Sequence, residues 1–357
     1  MEDASEMPFR RGRGARSNPA NRFTERQHIE DPAALDADER RQVETTYTRD
    51  PSRSLLAKND SPDIPFTYSL NPYRGCENGC SYCYARPTHE YLGFSAGIDF
   101  ETRIFVKEDA PALLSQTFQK PSWTPEPVAM SGVTDPYQPA EREKAVTRGC
   151  LKVFLRHRNP VSIITKSGLI RRDVDLLAAL AERALVHVYL SITSLDDDIA
   201  GAMEPRAARP QLRLQAVETL TEAGVPVGVH VAPVVPDLTD EELPAILQAA
   251  ADAGAQSAGY QILRLPGAVK PLFVDWLETH FPHRANRVLR RVRSLREGAL
   301  NETTFGDRMR GHGIWADTYR QLFRATARKT GLDGSLPPLS TDGFRHLRGG
   351  QRSLFAD

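Results

Sequence analysis

Three of the chain's four cysteines fall within eight residues, in the stretch Asn71-Pro-Tyr-Arg-Gly-Cys76-Glu-Asn-Gly-Cys80-Ser-Tyr-Cys83-Tyr84. The CxxxCxxC spacing brings its thiols to one point only if the backbone folds back, and Gly75 and Gly79 stand where that turn is needed. Soft thiolates select zinc or iron–sulfur clusters. Three of them leave one coordination position without a protein ligand, which a catalytic centre needs. A structural zinc site is the alternative, with His89, six residues after Cys83, as fourth ligand. That alternative describes a zinc-stabilised nucleic-acid-binding protein without catalysis. Disulfides fit less well: three close cysteines and one distant one make a poor secreted framework, and no charged-then-apolar segment opens the chain. Reduced thiols in the cytoplasm are expected.

At 357 residues, with 40% hydrophobic and 26% charged residues, the chain has the length for one large α/β domain plus extensions. No run approaches 18 apolar residues, so no membrane span is expected. Net charge is zero but unevenly spread. From His283 to Arg352 there are 15 Lys or Arg against 6 Asp or Glu, a surplus of nine positive charges. Such asymmetry points to a polyanionic partner or to a solvated arginine-rich face.

Residues 1–60 lack sustained apolar periodicity and carry the run Arg10-Arg-Gly-Arg-Gly-Ala-Arg16, which predicts a mostly disordered arm. Over 61–270 the pattern changes. Phe66–Leu70 alternates as a strand and leads into the cysteine loop, and a helix is expected over Ala85–Leu92. A strand is expected at Arg103–Lys107. Apolar runs then recur at Val128–Met130, Val161–Ile164, Val186–Ile192, Val225–Val231 and Ala258–Leu263. Helical patterns separate them at Glu141–Arg156, Asp173–Arg183, Pro210–Ala223 and Asp240–Ala253. Strand, helix and strand in repeated order predict parallel strands with right-handed crossovers. Six units instead of eight argue for an open, partial TIM-like (β/α)6 barrel, with its site at the carboxyl ends of the strands. Those ends are polar: Ser131 to Gln138, Thr165-Lys166-Ser167, Ser191-Ile-Thr193, His230-Val-Ala232 and Gln261. Lys166 emerges from an apolar run, placed to pair with a carboxylate of a bound molecule.

The cysteine motif, with an aromatic residue directly before its last cysteine, resembles the signature of the radical S-adenosylmethionine enzymes. Within that group the sequence is similar to the spore photoproduct lyase relatives. It shares with them the Ser131–Asp135 turn, Lys166, Ser191, the stretch from Glu204 to Ala216 and Val231-Ala-Pro-Val234. The resemblance implies the partial barrel of that group, a 4Fe–4S cluster held by Cys76, Cys80 and Cys83, and S-adenosylmethionine contacted by Tyr82, Thr134, Lys166, Ser191 and Ala232. It also implies a lyase-like reaction that starts from a 5'-deoxyadenosyl radical, and an external one-electron reductant such as flavodoxin or ferredoxin. One departure stands out. The lyases keep a hydrogen-donating cysteine in the second-strand turn, where this chain has Gly132, so photoproduct repair is not implied.

Glu204, Arg206 and Arg209 follow the fourth strand and are candidates for lining the substrate side, against a surface ion-paired loop. Cys150 lies within a helical pattern beside Leu151 and Val153, which predicts a buried structural thiol. Its alternative role is a hydrogen donor in place of the one missing at Gly132. Beyond residue 270 the alternation stops, and 271–342 reads as a helical, basic extension with helices at Leu272–Phe281, His283–Glu297 and Ile314–Thr330. These are expected to close the open edge or bottom of the barrel, with 343–357 as a flexible tail. The arginines at 284, 287, 290, 291, 293 and 296 make nucleic acid a candidate partner.

Overall fold

A computed structural model describes residues 12–24 and 43–347. Its main sheet has seven strands in the order β10–β9–β8–β7–β6–β3–β2: Ser257–Ile262, Val227–Val234, Val186–Ser191, Val161–Thr165, Val128–Met130, Tyr68–Leu70 and Leu56–Lys58. The six from β10 to β3 run parallel, and β2 pairs antiparallel with β3. Among the described residues the two ends of the sheet do not pair, so the barrel is open. The expected α/β class with six parallel strands is what the chain adopts.

Alternation along each strand builds the two faces. Val186, Val188 and Leu190 of β8 and Val227, Val229 and Val231 of β9 are buried outward with Leu177, Leu180, Val217 and Leu220 of the covering helices Val174–Ala181 and Pro210–Glu222. The other face lines the lumen. Tyr189 stacks on His230 with ring centroids 4.7 Å apart. Both rings lean on glycines of the next strand: a Cβ at Gly228 would lie 2.6 Å from the Tyr189 ring, and one at Gly259 would lie 2.8 Å from His230. Burial of His230 lowers its pKa to about 4, helped by the charge of Lys166, so the ring is neutral.

The predicted helix over Glu141–Arg156 is broken at Ala145, whose φ of 51° is left-handed, leaving Glu141–Lys144 and Val146–His157. The expected Arg103–Lys107 strand exists as β5 (Arg103–Val106). It stands outside the barrel, in a small sheet with β1 (Thr46–Arg49) and β4 (Tyr73–Arg74). The segment after the cysteines, Arg86–Leu92, is a 3-10 helix.

The disordered-arm expectation for 1–60 does not hold for residues 12–24 and 43–60, which are placed; residues 1–11 and 25–42 of that arm lie outside the described residues. The C-terminal helices are Val269–His280, Pro282–Ser294 and Gly313–Thr330. The first two pack with Cys80, Tyr82, Leu263 and Leu265 at the carboxyl end of the strands, and the third covers the β10 edge through Tyr260 and Phe323. The amino ends of the strands are instead crossed by the segment after Gly331. There the Ala258 amide donates to the Leu332 carbonyl and the Ser340 amide to that of Ala184. Phe344, expected in a flexible tail, packs on Phe118 and His157. The remainder of that tail, 348–357, lies outside the described residues.

Candidate functional site

Cys76, Cys80 and Cys83 lie on the loop between β4 and the 3-10 helix, and all three thiols are free. Gly75 and Gly79 adopt φ of 76° and 67°, the left-handed turns that fold the loop back. Gln138 ties it from outside, accepting from the Glu77 amide at 2.9 Å and donating to the Gly75 carbonyl at 3.2 Å. Asp135 joins the loop to the sheet. Its carboxylate accepts from Asn78, from the Thr165 hydroxyl at 2.6 Å and from the Lys166 amide at 2.8 Å. It therefore does far more than cap its own turn.

Burial raises the pKa of all three thiols. For Cys76 the charge of Asp135 and the neighbouring Cys80 and Cys83 thiols add to this effect. Lys166 opposes it at Cys80 and Cys83, and Arg86 does so at Cys83. Amide groups already face the sulfurs, that of Asp135 at Cys76 and those of Ala85 and Arg86 at Cys83. Three free thiols on one loop, amide donors and a nearby ammonium fit the protein's side of an iron–sulfur cluster. Among the described residues no three His, Cys, Asp or Glu side chains converge on a single-ion site. His89 is boxed by Phe94, Phe100 and Phe105, and burial lowers its pKa to about 4. The zinc reading has no support here.

The loop is braced by a second, unanticipated segment. The fully buried Glu101 accepts from Arg86 at 2.5 Å and from the backbone amides of Gly14 and Ala15 at 3.0 and 2.8 Å. Arg86 in turn donates to the Cys80 carbonyl at 3.0 Å, and Arg13 donates to the Glu101 and Val43 carbonyls. Gly14 lies so close to the cysteine loop that a Cβ there would sit 1.6 Å from the Gly79 oxygen. Asn18 and Asp99 exchange two hydrogen bonds, at 3.1 and 3.0 Å. The Arg/Gly run thus includes a strap over the back of the loop.

Around the mouth, the Lys166 Nζ lies 5.9 Å from the centroid of the Tyr82 ring. Ser191 and Thr134 are buried at the strand ends, with the Thr134 hydroxyl turned to the Tyr73 carbonyl at 3.3 Å. The Ala232 carbonyl accepts from Thr193 at 3.3 Å. Tyr82, Lys166 and the cysteines are therefore together, and of the three substrate-side candidates only Glu204 reaches them. Glu204 is fully buried and accepts from Tyr82, Thr193 and Arg213, which makes it a support for Tyr82. Burial pushes its pKa up, but Arg213 and then Lys166 outweigh that and hold it below the usual range. Arg206 pairs with Glu77 at 3.1 Å, and Arg209 donates to the Asp197 carbonyl outside the barrel wall. Cys150 sits in the main core with Leu151 and Phe154, its pKa raised by burial. At Gly132 the carbonyl accepts from the Tyr84 hydroxyl at 2.6 Å, a contact that sequence spacing does not reveal.

An open barrel of parallel strands with three free cysteines on one loop at its carboxyl edge defines the radical S-adenosylmethionine class. The model of the Radical SAM superfamily matches residues 70–250, about half of the chain, and the chain belongs to that family. Its cofactors are accordingly a 4Fe–4S cluster and S-adenosylmethionine. An uncharacterized protein of Mycobacterium bovis, Mb2609c, is 40% identical over 226 residues, covering 63% of this chain and 66% of its own length. The chain thus spans just under two thirds of that relative. Among solved structures, a mutant of spore photoproduct lyase aligns over 85% of both chains with a TM-score of 0.56 at 15% identity. The lyase complexed with dinucleoside spore photoproduct aligns over 81% of this chain and 80% of its own, with a TM-score of 0.55 at 16% identity. At such identities the likeness is one of fold. Among the described residues no helix is long and apolar enough to cross a membrane.

Proposed function

We propose that the chain is a radical S-adenosylmethionine enzyme whose cluster is held by Cys76, Cys80 and Cys83 and which abstracts hydrogen from a nucleic-acid-like substrate. The observation that carries this reading is the placing of three free cysteines on one loop, folded back at Gly75 and Gly79, with the Lys166 ammonium beside Tyr82 of the same loop. Together, the two cofactors supply one-electron cleavage of the sulfonium bond, giving methionine and the 5'-deoxyadenosyl radical. The protein's task is positioning and exclusion. Lys166 offsets thiolate charge and lies beside Tyr82, which Glu204 keeps in place. Thr134, Ser191 and Ala232 surround the same opening, while the helices Val269–His280 and Pro282–Ser294 seal the Cys80 side against water.

For the substrate class, support comes from the helix Pro282–Ser294. Of its arginines and Arg296 beyond it, Arg287 and Arg291 pair with Asp237, and Arg296 is buried against the Leu263 carbonyl. Arg284, Arg290 and Arg293 are exposed. The fold relative complexed with a dinucleoside agrees with this choice. Anaerobic protein given dithionite and S-adenosylmethionine should release 5'-deoxyadenosine. Labelled DNA and RNA should bind with an affinity that falls steeply with salt, and the Arg284→Glu/Arg290→Glu/Arg293→Glu variant should lose that binding. Identical titrations for the variant and the wild type would remove nucleic acid as the substrate class. Absence of 5'-deoxyadenosine would remove the enzyme reading.

A further inference from the structure

Beside the cysteine loop, outside the barrel wall, lies a groove of about 780 Å³ lined by Arg142, Arg171, Arg172, Arg206 and Arg209 and by no Asp or Glu. Arg172 is neutralised by Glu141 and Asp173, and Arg206 by Glu77. Among the described residues the Arg171 side chain meets only the Gly168 carbonyl and Gln215, and that of Arg209 only the Asp197 carbonyl. For the Arg142 side chain no hydrogen bond or ion pair occurs among the described residues. Three guanidinium groups thus face the groove without a carboxylate, a high local density of positive charge in a chain of zero net charge.

Its position gives the groove meaning. The cysteine loop is covered on three sides: by the strap at Gly79, by the helices Val269–His280 and Pro282–Ser294 at Cys80, and by the strand mouth where cofactor and substrate belong. The remaining side is Glu77-Asn78. Asn78 lines the groove, and its carbonyl accepts from the Arg206 amide at 3.3 Å. We infer that this arginine groove is the docking site of an acidic one-electron donor protein, which reaches the cluster through the Glu77-Asn78 wall. The inference rests on the proposed cluster at Cys76, Cys80 and Cys83. One electron passes from the reduced donor to the oxidised cluster, the donor is oxidised by one electron, and no bond forms or breaks. Guanidinium forks matched to carboxylates give such an encounter its orientation and its salt-dependent rate. A nucleic acid is the less suitable occupant. The groove runs down to Thr219 on the outer helix Pro210–Glu222 and does not open onto the lumen, so a strand bound there would present no atom to the radical.

The test is anaerobic stopped-flow reduction of the cluster-loaded protein by flavodoxin hydroquinone and, separately, by dithionite. It compares wild type, Arg142→Glu, Arg142→Glu/Arg171→Glu/Arg209→Glu and a control charge reversal, Arg310→Glu/Arg324→Glu/Arg328→Glu. Expected is a flavodoxin rate that falls with salt and drops about tenfold or more in the groove triple variant. A smaller drop is expected in Arg142→Glu and none in the control, with dithionite rates and cluster absorbance equal throughout. Equal flavodoxin rates in the wild type and the groove variants overturn the inference. So does loss of dithionite reduction or of the cluster in Arg142→Glu, which would make the groove a support of the loop. So does loss of oligonucleotide binding in the groove variants with flavodoxin rates unchanged. A wild-type protein that forms no cluster would instead defeat the underlying reading.

Discussion

The Tyr82 hydroxyl donates a hydrogen bond to the buried Glu204 carboxylate, and the same carboxylate takes the guanidinium of Arg213. Tyr82 directly precedes Cys83 and is one of the two residues between Cys80 and Cys83, so this ion pair holds the spacer of the cysteine motif.

Glu204→Ala should be strongly destabilising, because it leaves Arg213 charged and buried. Removing one partner of a buried pair costs about 3–5 kcal/mol. Glu204→Ala/Arg213→Met should recover part of that loss. Urea unfolding of the two variants checks it, and a double variant no more stable than the single one would show that the pair is not the source.

The strap gives a second expectation. Gly14→Ala forces a methyl group into the Gly79 carbonyl, and Arg13→Ala removes bonds to Glu101 and Val43. Both variants should fold but lose their cluster to chelator or oxygen several-fold faster than wild type, which bleaching at ~400 nm follows. Unchanged bleaching would mean that the strap does not brace the loop.

This segment marks the limit of what the sequence makes legible. The six parallel strands announce themselves because alternating Val, Ile and Leu have one covering layer to face. The cysteine loop is equally plain from its spacing. The strap has no apolar periodicity at all; its order comes from backbone amides that satisfy the buried Glu101, and polar satisfaction of this kind leaves no pattern in the residues that donate. Glu204 and Arg209 lie close together in the chain, after the helix Asp197–Met203, yet one is buried under Tyr82 and the other lies outside the wall. Position in the chain does not tell which way a loop side chain turns.

At the mouth, Lys166→Ala and Ser191→Ala should keep the cluster and weaken S-adenosylmethionine binding. Loss of a hydrogen bond to a charged group costs about 1.5–3 kcal/mol, or roughly 10- to 150-fold in Kd for Lys166. Equilibrium binding on cluster-loaded protein measures this. Wild-type affinity in both variants would take these two residues out of the cofactor site.

His89 supplies a pH dependence. Its folded pKa of about 4 lies below the ordinary 6.5, mainly through burial. The unfolded chain therefore binds the extra proton between these values, and stability should fall as pH drops from about 6.5 to about 4, by a few kcal/mol at most, and stay flat above. His89→Phe should flatten this acid limb in urea unfolding while retaining the cluster. An acid limb identical to that of wild type would place the titration elsewhere.

The central claim, a three-cysteine iron–sulfur centre, is tested most directly by metal analysis of anaerobically purified protein and its single Cys76→Ala, Cys80→Ala and Cys83→Ala variants, with His89→Ala alongside. The account predicts brown wild-type and His89→Ala proteins with ~4 iron per chain and absorbance near ~400 nm, and colourless, iron-free cysteine variants. A colourless wild type holding one zinc, lost in His89→Ala, would contradict it.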